Sequence, residues 1–220
     1  MRPEKGADAM TRSVFRGSRR TSLALGAAAA FTVLGATAAG AAPLPADSHG
    51  APAASRIAAA EDGCAVVYFD LGETLVHTAE DDSTSYVAGA ADYLRELRER
   101  NIEVGLITNV PSEWGDTDAA RAEALKKEVD GAWTGAEPFA WDDFGDRIFT
   151  PRTEEERKPA PVLWERAKED AGDCVAVYEA ETAEETDAAA ALGYVSYLIG
   201  QPSRPAFLPV EEIEELADCG

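Results

Sequence analysis

Positive charge is scarce in this chain: 20 Lys and Arg stand against 41 Asp and Glu among 220 residues, a formal charge of −21. A surface of that sign repels polyanions and anionic lipid, which excludes nucleic-acid binding by bulk attraction. Histidine is scarcer still, with only His49 and His77. That scarcity argues against a histidine-based catalytic triad and a multi-histidine zinc site, and both residues read as solvated loop positions. The three cysteines, Cys64, Cys174 and Cys219, contain no CxxC pair. They are too few for a disulfide scaffold and argue against a structural zinc. What remains is the ordinary mixture of a folded domain, 45% hydrophobic and 28% charged.

The acidity is unevenly spread. Residues 1–41 hold six Lys/Arg and two Asp/Glu, a balance of +4, which leaves −25 for residues 42–220. Arg12, Arg16, Arg19 and Arg20 precede the apolar run LALGAAAAFTVLGATAAGA, the layout of a secretory signal peptide. The run is rich in Ala and Gly, so a signal peptide over 1–41 is preferred to a permanent membrane span. Ala39-Gly40-Ala41 fits a small-x-small cleavage site, with Ala36-Thr37-Ala38 as its rival. Ser18-Arg19-Arg20-Thr21-Ser22-Leu23 resembles a twin-arginine export signal. The Pro/Ala-rich stretch that follows reads as a flexible linker over 42–60, leaving one domain over 61–220. Export would let two of the three cysteines pair.

From Cys64 the pattern alternates. CAVVYF at 64–69 is a strand buried on both faces, and HTAEDDSTS reads as a polar turn. YVAGAADYLRELRERN then places Tyr93, Leu94 and Leu97 at helical spacing. IEVGLI at 102–107 is a second strand, with a helix over about 117–129. Residues 131–157 are less regular and contain Ile148-Phe149 as the third strand. KPAPVLWERAKED is a helix starting at its prolines, CVAVY at 174–178 a strand, and AEETDAAAALG a helix ending on Gly193. YVSYLIG is the last strand and EEIEELAD a closing helix. The alternation implies an α/β fold, a doubly wound and mainly parallel sheet of about five strands.

In such sheets ligands bind at the carboxyl ends of the strands. Asp70, Thr108 and the Glu179/Glu181 pair lie at or just past such ends, and Lys158 sits in a helix start near another. A carboxylate beside an ammonium and a divalent cation has the parts for nucleophilic attack on phosphorus through an aspartyl-phosphate. Asp70 would attack, while Thr108 and Lys158 hold the oxygens of the transferring group and a second acid from Glu179/Glu181 holds Mg²⁺.

These residues resemble those of the haloacid dehalogenase (HAD) superfamily of hydrolases. VVYFDLGETLV at 66–76 resembles its first motif, GLITN at 105–109 its second, RKPAPVLWERA at 157–167 its third, and CVAVYEAETAEETDAAAALGY at 174–194 a degraded fourth. The resemblance implies a Rossmann-like sheet with Asp70 as nucleophile and with Thr108, Asn109 and Lys158 on the substrate phosphate. It also implies that Asp70 and the Gly72 backbone carbonyl are ligands to Mg²⁺, with an acid from the fourth motif. Registering that motif on Ala191-Leu192-Gly193 selects Glu181, with Glu185 as the next acid; registering on the strand end selects Glu179 instead.

Two departures stand out. Family phosphatases usually carry a second Asp two residues after the nucleophile, as general acid for the leaving group, and here that residue is Gly72. Both acids of the fourth motif are Glu, one methylene longer than the family's Asp. Only 38 positions separate Asp70 from Thr108, and 50 separate Thr108 from Lys158, too few for a large cap domain. The site should be open, to a phosphorylated small molecule or macromolecule, and Trp114, Trp133 and Trp141 either line it or pack the core. The leading expectation is an exported Mg²⁺-dependent phosphohydrolase. The alternative is a catalytically impaired pseudoenzyme retained as a binding module. A dehalogenase ranks behind both, since family dehalogenases have other residues at the position of Gly72 and usually a cap. In the family's sheet Cys64 and Cys174 begin adjacent strands, so they are one possible disulfide; Cys219 to either is the other.

Overall fold

The apolar run after Cys64 forms the central strand of the sheet. Strand β1, Ala65–Phe69, is buried throughout, with Val66 and Tyr68 in one layer and Val67 and Phe69 in the other. The computed structural model describes residues 63–218. The expected signal segment and linker, and Cys219, lie outside the described residues.

Beyond β1 come β2 (Val76–Thr78), β3 (Thr84–Tyr86), α1 (Ala90–Glu99), β4 (Glu103–Ile107) and α2 (Asp118–Ala132). The chain continues through β5 (Ile148–Phe149), α3 (Val162–Ala171), β6 (Val175–Ala180), α4 (Ala183–Ala191), β7 (Val195–Leu198) and α5 (Val210–Asp218). Five strands make one parallel sheet in the order β5-β4-β1-β6-β7. Helices α1, α2 and α5 cover one face through Leu94, Leu97, Leu125 and Ile213, while α3 and α4 cover the other through Leu163, Trp164 and Ala189. The chain winds outward from β1 through β4 to β5, then resumes on the other side at β6. The carboxyl end of β1 is therefore the switch point of the sheet, where the opening between oppositely wound halves lies.

Local chemistry sets the helix ends. Thr117 caps α2 by accepting from the N–H of Ala120 at 3.1 Å, and Thr182 caps α4 by accepting from that of Glu185 at 3.4 Å. Helix α4 stops where Gly193 takes φ +83, a left-handed turn suited to a residue without a side chain. The third-motif helix begins later than its prolines suggest: Pro161 is the cap of α3, and Lys158 lies in the preceding loop.

The polar segment after β1 is not merely a turn. Strands β2 and β3 form an antiparallel hairpin pairing Val76 with Tyr86 and His77 with Ser85. Asp81 Oδ1 closes its tip by accepting from the N–H and hydroxyl of Ser83, at 3.1 and 2.7 Å. This hairpin and α1 fill the space between Asp70 and Thr108, and no cap domain is present among the described residues. Trp133 and Trp141 are half-buried in an aromatic cluster with Tyr86 and Phe139, their indole N–H groups donating to Glu137 O and Asp130 Oδ1. They pack the core; Trp114 is likewise half-buried against it.

Cys64 and Cys174 form a disulfide with Cα atoms 4.7 Å apart. The pairing of Ala65 with Val175 puts the two cysteines side by side, one residue before the paired strand ends. The bond closes a separation of 110 residues. Replacing both cysteines by Ala should lower unfolding free energy by about 2–5 kcal/mol, read as a shifted urea midpoint matching that of the reduced parent.

Candidate active site

Asp70 follows β1 at the switch point and is buried, its backbone N–H donating to Glu179 O at 3.0 Å. Its carboxylate Oδ1 accepts from the Lys158 ammonium at 2.5 Å. The same ammonium donates to Glu185 Oε2 at 2.7 Å and to the Tyr178 hydroxyl at 3.1 Å, and Tyr178 donates to that Glu185 oxygen at 2.7 Å. Lysine is thus fully partnered, with its side chain 1% exposed. Burial alone would depress the Lys158 ammonium, but the charges and hydrogen bonds of Asp70 and Glu185 outweigh it and hold the ammonium above its ordinary value. Burial, then the charges of Asp70 and Glu185, keeps the Tyr178 phenol from ionising, so it stays a donor.

On the other side of Asp70 stands Thr74, fully buried. Its Oγ1 lies 3.4 Å from Asp70 Oδ2, donates to Glu181 Oε2 at 3.0 Å, and accepts from the Glu181 N–H at 3.2 Å. One hydroxyl therefore joins the two carboxylates. Glu181 sits at the rim, exposed as a residue but with its carboxylate turned inward; that partial burial, reinforced by the charge of Asp70, pushes it up to about 7.

Glu179, the rival acid, faces the opposite layer. Its Oε1 lies 2.7 Å from the Tyr93 hydroxyl on α1, and its Oε2 accepts from the N–H of Leu208 at 3.2 Å. Tyr93 also meets the Leu208 carbonyl at 2.7 Å. A phenol has one hydrogen, so two acceptors at that distance require a second proton. A protonated Glu179 supplies it, donating to Tyr93, which donates to Leu208. Burial independently pushes Glu179 up to about 8. Its native pKa lies above the unfolded value near 4.5, so the native state holds the extra proton across this window. Stability from this group is complete below about pH 4.5 and erodes as pH rises to about 8. Glu179→Gln should erase that slope, raising stability at pH 8 on the order of 4 kcal/mol and leaving it unchanged near pH 4, by urea unfolding at the two pH values.

Thr108 follows β4 beside Asp70, buried, its N–H donating to Phe149 O at 3.1 Å. Among the described residues its hydroxyl bonds to neither Asp70 nor Lys158. Asn109, expected on substrate, has its carboxamide engaged elsewhere: Oδ1 accepts from the Lys158 N–H at 2.8 Å and Nδ2 donates to the Lys158 carbonyl at 3.2 Å. It clamps the Lys158 backbone. Asp118 ties this loop region to α3 by accepting from Arg121, Arg152 and Arg166; the Arg152 hydrogen bond above all, with the Arg166 charge, holds its carboxyl at about 2. Gly72 is bridged to Val76, and nothing lies within 4 Å of where its side chain would begin.

The sequence placed Asp70, Thr108, Lys158 and the Glu179/Glu181 pair at one end of the sheet, and the resemblance added Glu185, but Thr74 and Tyr178 were missed. Thr74 lies inside the first motif, and Tyr178 one strand position before Glu179. Neither has chemistry of its own to advertise; each matters through partners far away in sequence.

The donors suit a hard cation in kind. The carboxylates of Asp70 and Glu181 meet at one hydroxyl, and the backbone carbonyl of Gly72, two residues after Asp70, is the oxygen donor the family resemblance adds to them. Among the described residues no three acidic, His or Cys side chains are spaced to enclose a metal. Two carboxylates and a carbonyl, with water for the rest, is a set that Mg²⁺ accepts.

No family model matches the sequence, and no curated protein matches it. Several solved structures are similar to this chain at low sequence identity. An uncharacterized protein from Listeria monocytogenes serotype 4b is 16% identical over 66% of this chain and 88% of that one, with a TM-score of 0.46. A HAD family enzyme from Bacteroides thetaiotaomicron, an aspartate-to-alanine variant in complex with magnesium and inorganic phosphate, is 14% identical over 64% and 97%, TM-score 0.46. A protein described as a HAD-like phosphatase, from Mesorhizobium loti, is 14% identical over 71% and 85%, TM-score 0.41. The chain is an α/β protein with a five-stranded parallel sheet.

Proposed function

We infer that this chain is an exported phosphohydrolase of the haloacid dehalogenase type, which moves a phosphoryl group first to Asp70 and then to water. One observation carries the reading: at the switch point of the sheet, a buried carboxylate has one oxygen on a buried ammonium and the other beside a hydroxyl shared with a second acid. Asp70 attacks phosphorus, and the bond to the leaving oxygen breaks. Lys158 and the Thr108 hydroxyl hold the phosphoryl oxygens and stabilise their growing charge. Water then attacks the acyl phosphate and returns the Asp70 carboxylate. Asn109 and Tyr178 hold Lys158 in place from its backbone and its ammonium. Mg²⁺, held by Asp70, Glu181 and the Gly72 carbonyl, would neutralise the charge of the incoming phosphate.

With no cap domain among the described residues, the reading favours an open site that takes a phosphorylated small molecule or a phosphorylated macromolecule. Export is supported by the basic and apolar layout of residues 1–41 and by the disulfide, which persists in oxidising compartments. Among the described residues no helix is long and apolar enough to cross a membrane. The test is Mg²⁺-dependent hydrolysis of 4-nitrophenyl phosphate by the purified protein, with Asp70→Asn as control. Absence of turnover above that control across several divalent cations would sink the reading.

A second reading, a HAD-type binding module with impaired catalysis, is favoured by Gly72 at the place of the family's general acid. Calorimetry with Mg²⁺ and phosphate separates the two, because an interaction module need bind neither.

A further inference from the structure

The proposed chemistry asks Lys158 to hold a phosphoryl oxygen, yet its ammonium has no N–H to spare. The three N–H groups go to Asp70 Oδ1 at 2.5 Å, Glu185 Oε2 at 2.7 Å and the Tyr178 hydroxyl at 3.1 Å, and the side chain is 1% exposed. A bound phosphate must therefore displace one of the three. Asp70 is the attacking group, and taking it off the ammonium would set a carboxylate against a phosphate without a shared cation. Tyr178 cannot withdraw: it lies on β6, fully buried, its ring in T-shaped contact with Trp164 and Tyr194 at centroid distances of 5.6 and 6.3 Å.

Glu185 is the partner that can leave. It stands in the first turn of α4 with its N–H on the Thr182 hydroxyl, so its backbone is held, while its side chain reaches the solvent boundary at 18% exposure. Rotation about its side-chain bonds frees Lys158 without moving the helix. The oxygen that leaves is defined by two donors: Glu185 Oε2 accepts from both Lys158 and Tyr178, each at 2.7 Å. It also shares the Lys158 nitrogen with Asp70 Oδ1, so the two oxygens are near neighbours, and an oxygen in its place can belong to a phosphorus that faces Asp70. Exchanging a carboxylate oxygen for a phosphoryl oxygen preserves the charge balance of the buried ammonium and leaves neither donor unpaired.

We propose that Glu185 Oε2 occupies the place of a phosphoryl oxygen, and that substrate displaces it and takes over both of its donors. The Tyr178 hydroxyl is then a substrate-binding group beside Lys158, and Glu185 is an internal competitor that sets how tightly phosphate is held. The inference rests on the phosphohydrolase reading above.

Calorimetry with inorganic phosphate at saturating Mg²⁺ tests this, alongside KM for 4-nitrophenyl phosphate. Glu185→Asp keeps the charge but withdraws the carboxylate by one methylene, out of hydrogen-bond reach of Lys158, so the competition is relieved and the phosphate Kd should fall about tenfold. Tyr178→Phe removes one of the two donors, and Kd should rise about tenfold. KM should move with Kd in each variant. A merely structural trio predicts weaker binding from both substitutions, so a shared sign, or no change with Tyr178→Phe, overturns the assignment. Glu184→Gln removes a charge from the same turn at an exposed position outside the trio, and should leave Kd within about twofold. Tightening that matches Glu185→Asp would assign the gain to the general field and overturn the contact. Glu185 lies at the surface, so its arm stays readable whatever Tyr178→Phe costs in stability. If Glu185→Asp binds phosphate more tightly yet neither it nor the parent hydrolyses the ester, the phosphohydrolase reading falls and the oxygen position stands. If the parent hydrolyses the ester and Glu185→Asp binds phosphate no more tightly, that reading stands and the assignment falls. If neither protein binds phosphate, both fall.

Discussion

Asp70→Asn abolishes phosphate ester hydrolysis, lowering kcat by roughly three orders of magnitude or more while the protein stays folded. The substitution keeps the shape of the side chain and removes its nucleophilicity. An amide oxygen at Oδ1 still accepts from Lys158, which also retains Glu185 and Tyr178, so the buried ammonium keeps a counter-charge. The amide nitrogen at the other branch meets Thr74 Oγ1, a group able to accept. A second readout accompanies the kinetic one. The charge of Asp70 is among the causes that raise Glu181, so its removal should lower the Glu181 pKa from about 7, observable by carboxyl NMR titration. A variant that kept turnover near the parent value would show that another group attacks phosphorus.

Lys158→Met destabilises the domain by about 3–5 kcal/mol at pH 8 and abolishes turnover as well. Methionine fills the volume of the lysine stem but leaves Asp70, Glu185 and Glu181 as three neighbouring acids without a cation. Glu185 is already raised, first by burial, with the Asp70 charge adding and Lys158 opposing; removing Lys158 removes the opposition. The sign follows from linkage. Acids whose native pKa lies above the unfolded value hold a proton that the unfolded chain gives up, so the penalty grows as pH climbs past about 4.5. The deficit should therefore be largest at pH 8 and shrink toward pH 5, measured by urea unfolding of parent and variant side by side. A deficit independent of pH would assign the loss to packing instead. Millimolar Mg²⁺ should recover part of the stability at pH 8, because the cation substitutes for the missing ammonium.

Much of the fold is legible in the sequence because its signals are local. AVVYF is apolar on successive positions and forms a strand buried on both faces. Tyr93, Leu94 and Leu97 recur at helical spacing and all face the core. Gly193 ends α4 because a left-handed turn is needed there. The hairpin after Asp70 escapes notice for the same reason: HTAEDDSTS looks like solvent-facing turn, and only the packing of Val76 and Tyr86 against distant aromatic and apolar groups makes strands of its ends. The start of α3 slips because prolines are tolerated both in and before a first turn.

By itself the sequence determined the class of sheet, the order of its elements and a short set of polar residues at strand ends. Which of those residues meet is a property of strand order and register, and neither is written locally. Register alone sets Cys64 beside Cys174, 110 residues away. Alternation along β6 sends Tyr178 and Glu179 to opposite layers, but only the placement of α1 and α3 on those layers decides that Tyr178 meets Lys158 while Glu179 is sealed against Tyr93. Thr74 reaches Glu181 across 107 residues because β1 and β6 are neighbours. A side chain's chemistry is carried in the sequence; its partner is supplied by the tertiary fold, since hydrogen bonds and ion pairs act over a few ångströms of space and take no account of distance along the chain.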